Sequence, residues 1–172
     1  MAALRTVLAA LHALGWATYL GGALFMELAW RPAQEHVAPS QINVVCQRMG
    51  RQYRWLALSA LALIALSGVG LVLAEPAALR PPLALAEPYW ATLLALALCW
   101  ATLVTLVSVM AVVAHPGLHA RTPAAMTPGE RAAAREEVRR AIRRMDVLLR
   151  CELGVGVLAV ALGTSVRLGG LV

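Results

Sequence analysis

The chain has no lysine and little charge of either sign: 14% of its 172 residues are Asp, Glu, Lys or Arg, against about 25% in a soluble globular domain. With 60% hydrophobic residues and a mean hydropathy of +0.71, that shortage excludes a water-soluble fold. Cysteine is scarce too. Cys46, Cys99 and Cys151 fall in the first connection, mid-membrane and at the inner end of the last apolar run, a scatter that predicts no disulfide where thiols are kept reduced. No internal repeat or low-complexity segment is apparent. No convincing small-residue cleavage site follows Arg5, so the first apolar run reads as an uncleaved span and not as a signal peptide.

What is present is four apolar runs, about 6–30, 55–74, 89–114 and 147–168. Each is long enough, at about 1.5 Å per residue, to cross roughly 30 Å of hydrocarbon. They predict an all-α integral membrane four-helix bundle that uses the whole chain as one domain. All fifteen basic residues are arginines, and only Arg5, Arg80 and Arg167 lie away from the first-to-second and third-to-fourth connections. The positive-inside rule then puts those two connections in the cytoplasm and both termini outside. The net charge of +6 calls for no nucleic acid, because loops beside anionic lipid headgroups are expected to be basic.

Along the chain, Trp30, Arg31 and Pro32 form an interfacial anchor and a helix breaker at the end of the first span. Ser40 is a candidate cap for a helix over Gln41–Arg54 that runs into the second span. In that span Ser59, Ser67, Gly68 and Gly70 allow close helix approach. The outer loop, Glu75–Pro88, carries four prolines, and Tyr89 and Trp90 open the third span at the interface. Thr127, Pro128 and Glu130 have the spacing of a capping box. They predict one helix of about forty residues, roughly 60 Å, running unbroken into the fourth span as a long cytoplasmic extension. Glu136 with Arg140, and Asp146 with Arg150, stand at i,i+4 along it.

The first span carries the most informative polar residues. At 100° per residue, His12, Gly15, Tyr19, Gly22 and Met26 share one seam, which should face the bundle interior because polar groups facing lipid are costly. Gly15 and Gly22 leave space that either a neighbouring helix or the face of a flat cofactor would fill. His12 then has three readings: a hydrogen-bonded core residue, a haem-iron ligand, or a metal ligand on a transport path. His36, His115 and His119 map to the opposite side of the membrane. A haem b on His12 would therefore be five-coordinate, or take a non-histidine ligand or one from a symmetry mate. Pro116 and Gly117 make a turn between His115 and His119, which weakens them as a chelating pair.

Soft ligands suit Cu(I), and His12, Cys99, Met26 and Met110 descend through the membrane as such a ladder, with Cys99 and Met110 on one face of the third span and Cys151 beyond. Methionine and cysteine are also ordinary core residues. Glu152 sits at the inner end of the fourth span on the same face as Gly156, Ala159 and Gly163. Glu27 lies at similar depth, with Arg31, Arg54 and Arg150 as candidate partners, so these groups read as an ion-pair network or as a proton or metal relay.

LHALGWATYLGGALF followed by WRP resembles the first span of the copper-resistance D (CopD) family. RQYRWLALSALALIALSGVG is similar to that family's arginine-led helix, and LLRCELGVGVLAVALGTSVRLGG to its last helix. The resemblance implies a four-helix bacterial inner-membrane unit concerned with copper uptake or tolerance, and marks His12, Gly21, Gly22 and Glu152. The chain is shorter than that family's multi-helix proteins. The opening histidine also resembles the haem-containing HemJ group, which uses an intramembrane lysine that this chain lacks. Three functional expectations stand together. The first is copper handling, with His12 as outer ligand and Glu152 in an inner relay. The second is a b-type haem protein in electron transfer, with His12, Tyr19, Gly21 and Gly22 around the ring. The third is a structural subunit of a homodimer or larger membrane complex in the lipid bilayer.

Overall fold

A computed structural model of the protein describes residues 2–34, 36–38, 41–74, 88–114 and 127–167. The expected Ser40 cap, the proline-rich outer loop with Arg80, and the pair His115 and His119 lie outside the described residues. The described chain is helical. It comprises α1 (Ala2–Phe25), a π-helical turn (Met26–Trp30), α2 (Arg31–Gln34), α3 (Ile42–Leu73), α4 (Pro88–Val109), a second π-helical turn (Met110–Ala114) and α5 (Pro128–Arg167). Four of these stretches are long and apolar enough to cross a membrane: Ala2–Gln34, Val44–Leu73, Tyr89–Val112 and Pro128–Val166. The four expected spans are all there, and α3 and α5 run well past them at the arginine-rich end.

The helices neighbour one another in a ring, α1 on α3, α3 on α4, α4 on α5 and α5 on α1. Small residues set the closest approaches. A Cβ on Gly15 would lie 2.8 Å from Ile64 Cγ1 and 3.4 Å from the Ala60 carbonyl oxygen, so α1 and α3 meet almost backbone to backbone there. Tyr19, Ala23, Ala57, Ala60, Leu61, Ile64, Leu103 and Val107 form the core between the helices. Trp100 on α4 donates its indole N–H to the Leu61 carbonyl at 3.0 Å, tying α4 to α3. Leucines such as Leu66, Leu73 and Leu98 stand exposed on the outer faces, as lipid-facing residues do.

The first helix does not stop at Pro32. It passes through the wider π-helical turn of Met26–Trp30 and continues to Gln34. Proline lacks an N–H and crowds the carbonyl four residues back, and a wider turn before it relieves both problems. The second π-helical turn occupies the same position relative to a proline in the sequence: MELAWRP and MAVVAHP each place proline six residues after methionine.

The fourth expected helix is present in full, as 40 unbroken residues from Pro128 to Arg167. Its capping box closes as the spacing predicts. The Thr127 N–H and hydroxyl donate to Glu130 Oε2 at 2.7 and 2.8 Å, and the Glu130 N–H returns to Thr127 Oγ1 at 3.4 Å. The expected i,i+4 carboxylate–arginine side-chain pairs do not form. Glu136 instead pairs with Arg139 at 3.3 Å and Arg143 at 2.9 Å, while Asp146 and Arg150 turn to α2 and to the turn before it. The ends of α3 and α5 come together through Cys46, Val138 and Ala141.

Candidate functional site

The predicted seam of α1 faces inward: Gly15 and Tyr19 are buried, and His12, Gly22 and Met26 are half-buried. His12, Tyr19 and Met26 are seven residues apart, about 10 Å per step, and each heads a different tier of the interior.

In the first tier, His12 is bonded through both ring nitrogens. Nε2 accepts the Trp16 Nε1–H at 3.2 Å, which in a neutral ring leaves the proton on Nδ1, between the Ile64 carbonyl and Ser67 Oγ at 3.1 Å each. Ser67 Oγ passes its own proton to the Leu63 carbonyl. Gly68 makes the room, since a Cβ there would sit 3.2 Å from His12 Cε1. These bonds are what the first of the three readings, a hydrogen-bonded core residue, calls for.

The surroundings of His12 do not fit an axial haem ligand. A metal would have to displace Trp16 from Nε2. The spaces beside Gly15 and Gly22 are filled by Ile64, Leu56 and Tyr53, and Gly21 faces away with nothing within 4 Å of an added Cβ.

The second tier is a buried carboxyl group. Glu152 is 0% exposed and Tyr19 is 1% exposed. The Tyr53 hydroxyl donates to Glu152 Oε2 at 2.8 Å, so this bond runs between two helices that are not neighbours in the ring. Tyr19 packs its ring on Gly156, where a Cβ would lie 3.4 Å from Tyr19 Cε1, one turn along α5 from Glu152. Both the Tyr19 hydroxyl and Glu152 Oε1 are buried with no hydrogen-bond partner. Tyr53 was not foreseen, although it lies on the stripe Cys46, Gly50, Tyr53, Ala57, Ala60, Ile64, Ser67, whose helical spacing includes the small and polar residues of α3.

The third tier, at the arginine-rich end, is a cavity of about 40 Å³, room for a few waters or an ion. Met26, Met110 and Met145 line it together with Cys46, and Tyr53 and Asp146 stand at its walls. Met26 and Met110 are the first residues of the two π-helical turns, and both line this cavity. Of the expected soft ligands, Met26 and Met110 therefore come together. Cys99 lies about 16 Å farther along α4 and does not line the cavity. Cys46 and Met145 take its place, both from stretches that read as headgroup-level connections in sequence.

Beside the cavity, Glu27 Oε1 accepts from Arg31 at 2.6 Å and from Arg150 at 3.0 Å, and Arg31 reaches Asp146 at 3.8 Å. Glu27 thus has two of its three expected partners, and Arg54 does not join this network. Its four charges link α1, α2 and α5 where they leave the apolar layer. No group of three or more His, Cys, Asp or Glu side chains with metal-holding geometry occurs among the described residues. No family model matches the chain, and neither a curated protein nor a solved structure matches it.

Proposed function

We propose that the protein handles copper(I) in the bacterial cytoplasmic membrane, with the cavity of Met26, Met110, Met145 and Cys46 as its binding place. The observation that carries the reading is that three methionines and one cysteine, from four separate helical stretches, line one cavity of about 40 Å³. Thioether and thiolate are the ligands that favour Cu(I) over the harder cations of the cytoplasm. Copper is the cargo in this reading. The CopD resemblance of the sequence points to the same metal. The arginine-rich ends of α3 and α5 lie on the cytoplasmic side, which opens the cavity toward that face and leaves both termini periplasmic. His12 is a hydrogen-bonded strut between α1 and α3 in this reading, and not a ligand.

The test is anaerobic titration of detergent-purified protein with Cu(I) against a chromogenic chelator. One equivalent is expected to be retained, with affinity weakened about tenfold or more by Met26→Leu, Met110→Leu or Cys46→Ser and unchanged by Cys99→Ser. Failure to compete with the chelator, or retention that ignores the cavity substitutions, overturns the proposal.

A further inference from the structure

The Glu152 carboxyl group belongs neither to the cavity nor to the surface ion-pair network. Glu152 does not line the cavity, and the nearest arginine on its own helix, Arg150, is committed to Glu27. Around the carboxyl group, the facing titratable side chains are Tyr19 from α1 and Tyr53 from α3. The buried residues of α4 are Thr92, Leu103 and Val107, none of them titratable.

An ionised carboxylate here would face hydrocarbon-layer surroundings with one hydrogen bond, from Tyr53, and no cation beside it. That is a costly state. The unsatisfied atoms supply the rest of the argument. Glu152 Oε1 and the Tyr19 hydroxyl are both buried and make no hydrogen bond. A single proton on Oε1 removes the charge from this fully buried position, at the one carboxyl oxygen that has no donor. The Tyr53 hydroxyl continues to donate to Oε2. A metal cation in the same place would need several more oxygen ligands than these two.

We infer that Glu152, buried against Tyr19 and Tyr53, forms an intramembrane proton-binding site, with the proton held on Glu152 Oε1 and the Tyr53 hydroxyl donating to Oε2. The site stands independently of the copper reading, although Tyr53 serves both places, as donor to Glu152 and as a wall of the cavity.

The test is infrared spectroscopy of metal-free protein in lipid, comparing H2O with D2O. The expected result is a protonated-carboxyl stretch that shifts on deuteration, disappears in Glu152→Gln and moves to higher frequency in Tyr53→Phe, where the Oε2 carbonyl loses its donor. Absence of the band in the wild type overturns the inference, because an ionised Glu152 bonded to a trapped water gives none. A band that persists in Glu152→Gln overturns it too, by assigning the proton to Glu27 or Asp146. Should Glu152→Gln fail to fold, Tyr53→Phe decides alone, and an unmoved band refutes the assignment of the proton to Glu152. Since no metal is present, failure of the copper titration leaves this result untouched.

Discussion

At the scale of single residues, neighbouring glycines of α1 that look alike in sequence do different things. Gly21 has open space where a side chain would go, Gly22 rests on Leu56 and Tyr53 at 3.4 and 3.5 Å, and Gly15 has Ile64 at 2.8 Å. Alanine at Gly15 forces Ile64 to shift against a backbone already in contact. We expect Gly15→Ala to destabilise the protein by about 1–3 kcal/mol. Gly21→Ala should be neutral or stabilising by up to about 1 kcal/mol through helix propensity. Thermal unfolding in one detergent compares the two directly, and equal effects would contradict the packing described here. The seam itself was legible from the sequence, because 100° per residue decides which side chains share a face. What filled the space beside it was not. The choice between a helix and a cofactor depends on whether Ile64 and Gly68 of a distant helix arrive opposite Gly15 and His12, and nothing local to LHALGWATYLGG encodes that meeting.

At the scale of elements, the start of α5 follows from three residues. Thr127 donates from its backbone and its hydroxyl to Glu130, and these bonds, the backbone one first, hold the Glu130 carboxyl below the usual glutamate value. Because the folded-state value is lowered, the stabilisation is present above the unfolded-state value and is lost as the pH falls through the folded one. Amide protection factors at Gly129, Glu130 and Arg131, the intrinsic exchange rate at each pH divided by the measured one, should therefore be higher near neutrality and fall in the acid range below about 4.3. The acid-induced loss of protection should vanish in Glu130→Gln, which leaves an amide that does not titrate. Thr127→Ala should fray the first turn at every pH, at a cost of about 1 kcal/mol. Protection factors with no acid-induced change in the wild type would mean that the cap contributes nothing in solution.

The same scale shows where sequence reading stopped short. The lengths of α3 and α5 and the site of the cap were local properties and were readable. The two π-helical turns were not, since Pro32 reads equally well as a stop. The consequence is specific: Met26 and Met110 were readable as soft ligands, but Cys46 and Met145, on helices expected over Gln41–Arg54 and from Pro128, lay outside the expected spans, and nothing local encodes that α3 and α5 bring them to the same cavity.

At the scale of the whole molecule, charge and cavity make one geometrical claim. The arginines of α5 between Arg131 and Arg144, the Glu27–Arg31–Asp146–Arg150 network and the thioether cavity lie toward one end of the bundle, while Ala3 of α1 lies at the other. The proposed function has that end facing the cytoplasm, as the positive-inside rule and attraction to anionic headgroups would favour. Ala3 and Ala132 are both exposed, so cysteine at either position reports its side without disturbing the core. In intact cells, a membrane-impermeant maleimide should label Ala3→Cys above the wild-type background and should label Ala132→Cys only after the membrane is permeabilised. The reverse pattern would place the arginines outside and turn the cavity toward the periplasm. It would then receive copper from the opposite face, and the direction of handling would have to be inverted even if the titration with Cu(I) succeeded. Labelling of both positions in intact cells would be incompatible with α1 spanning the membrane and would remove the bilayer frame on which the buried carboxyl group and the cavity are both argued.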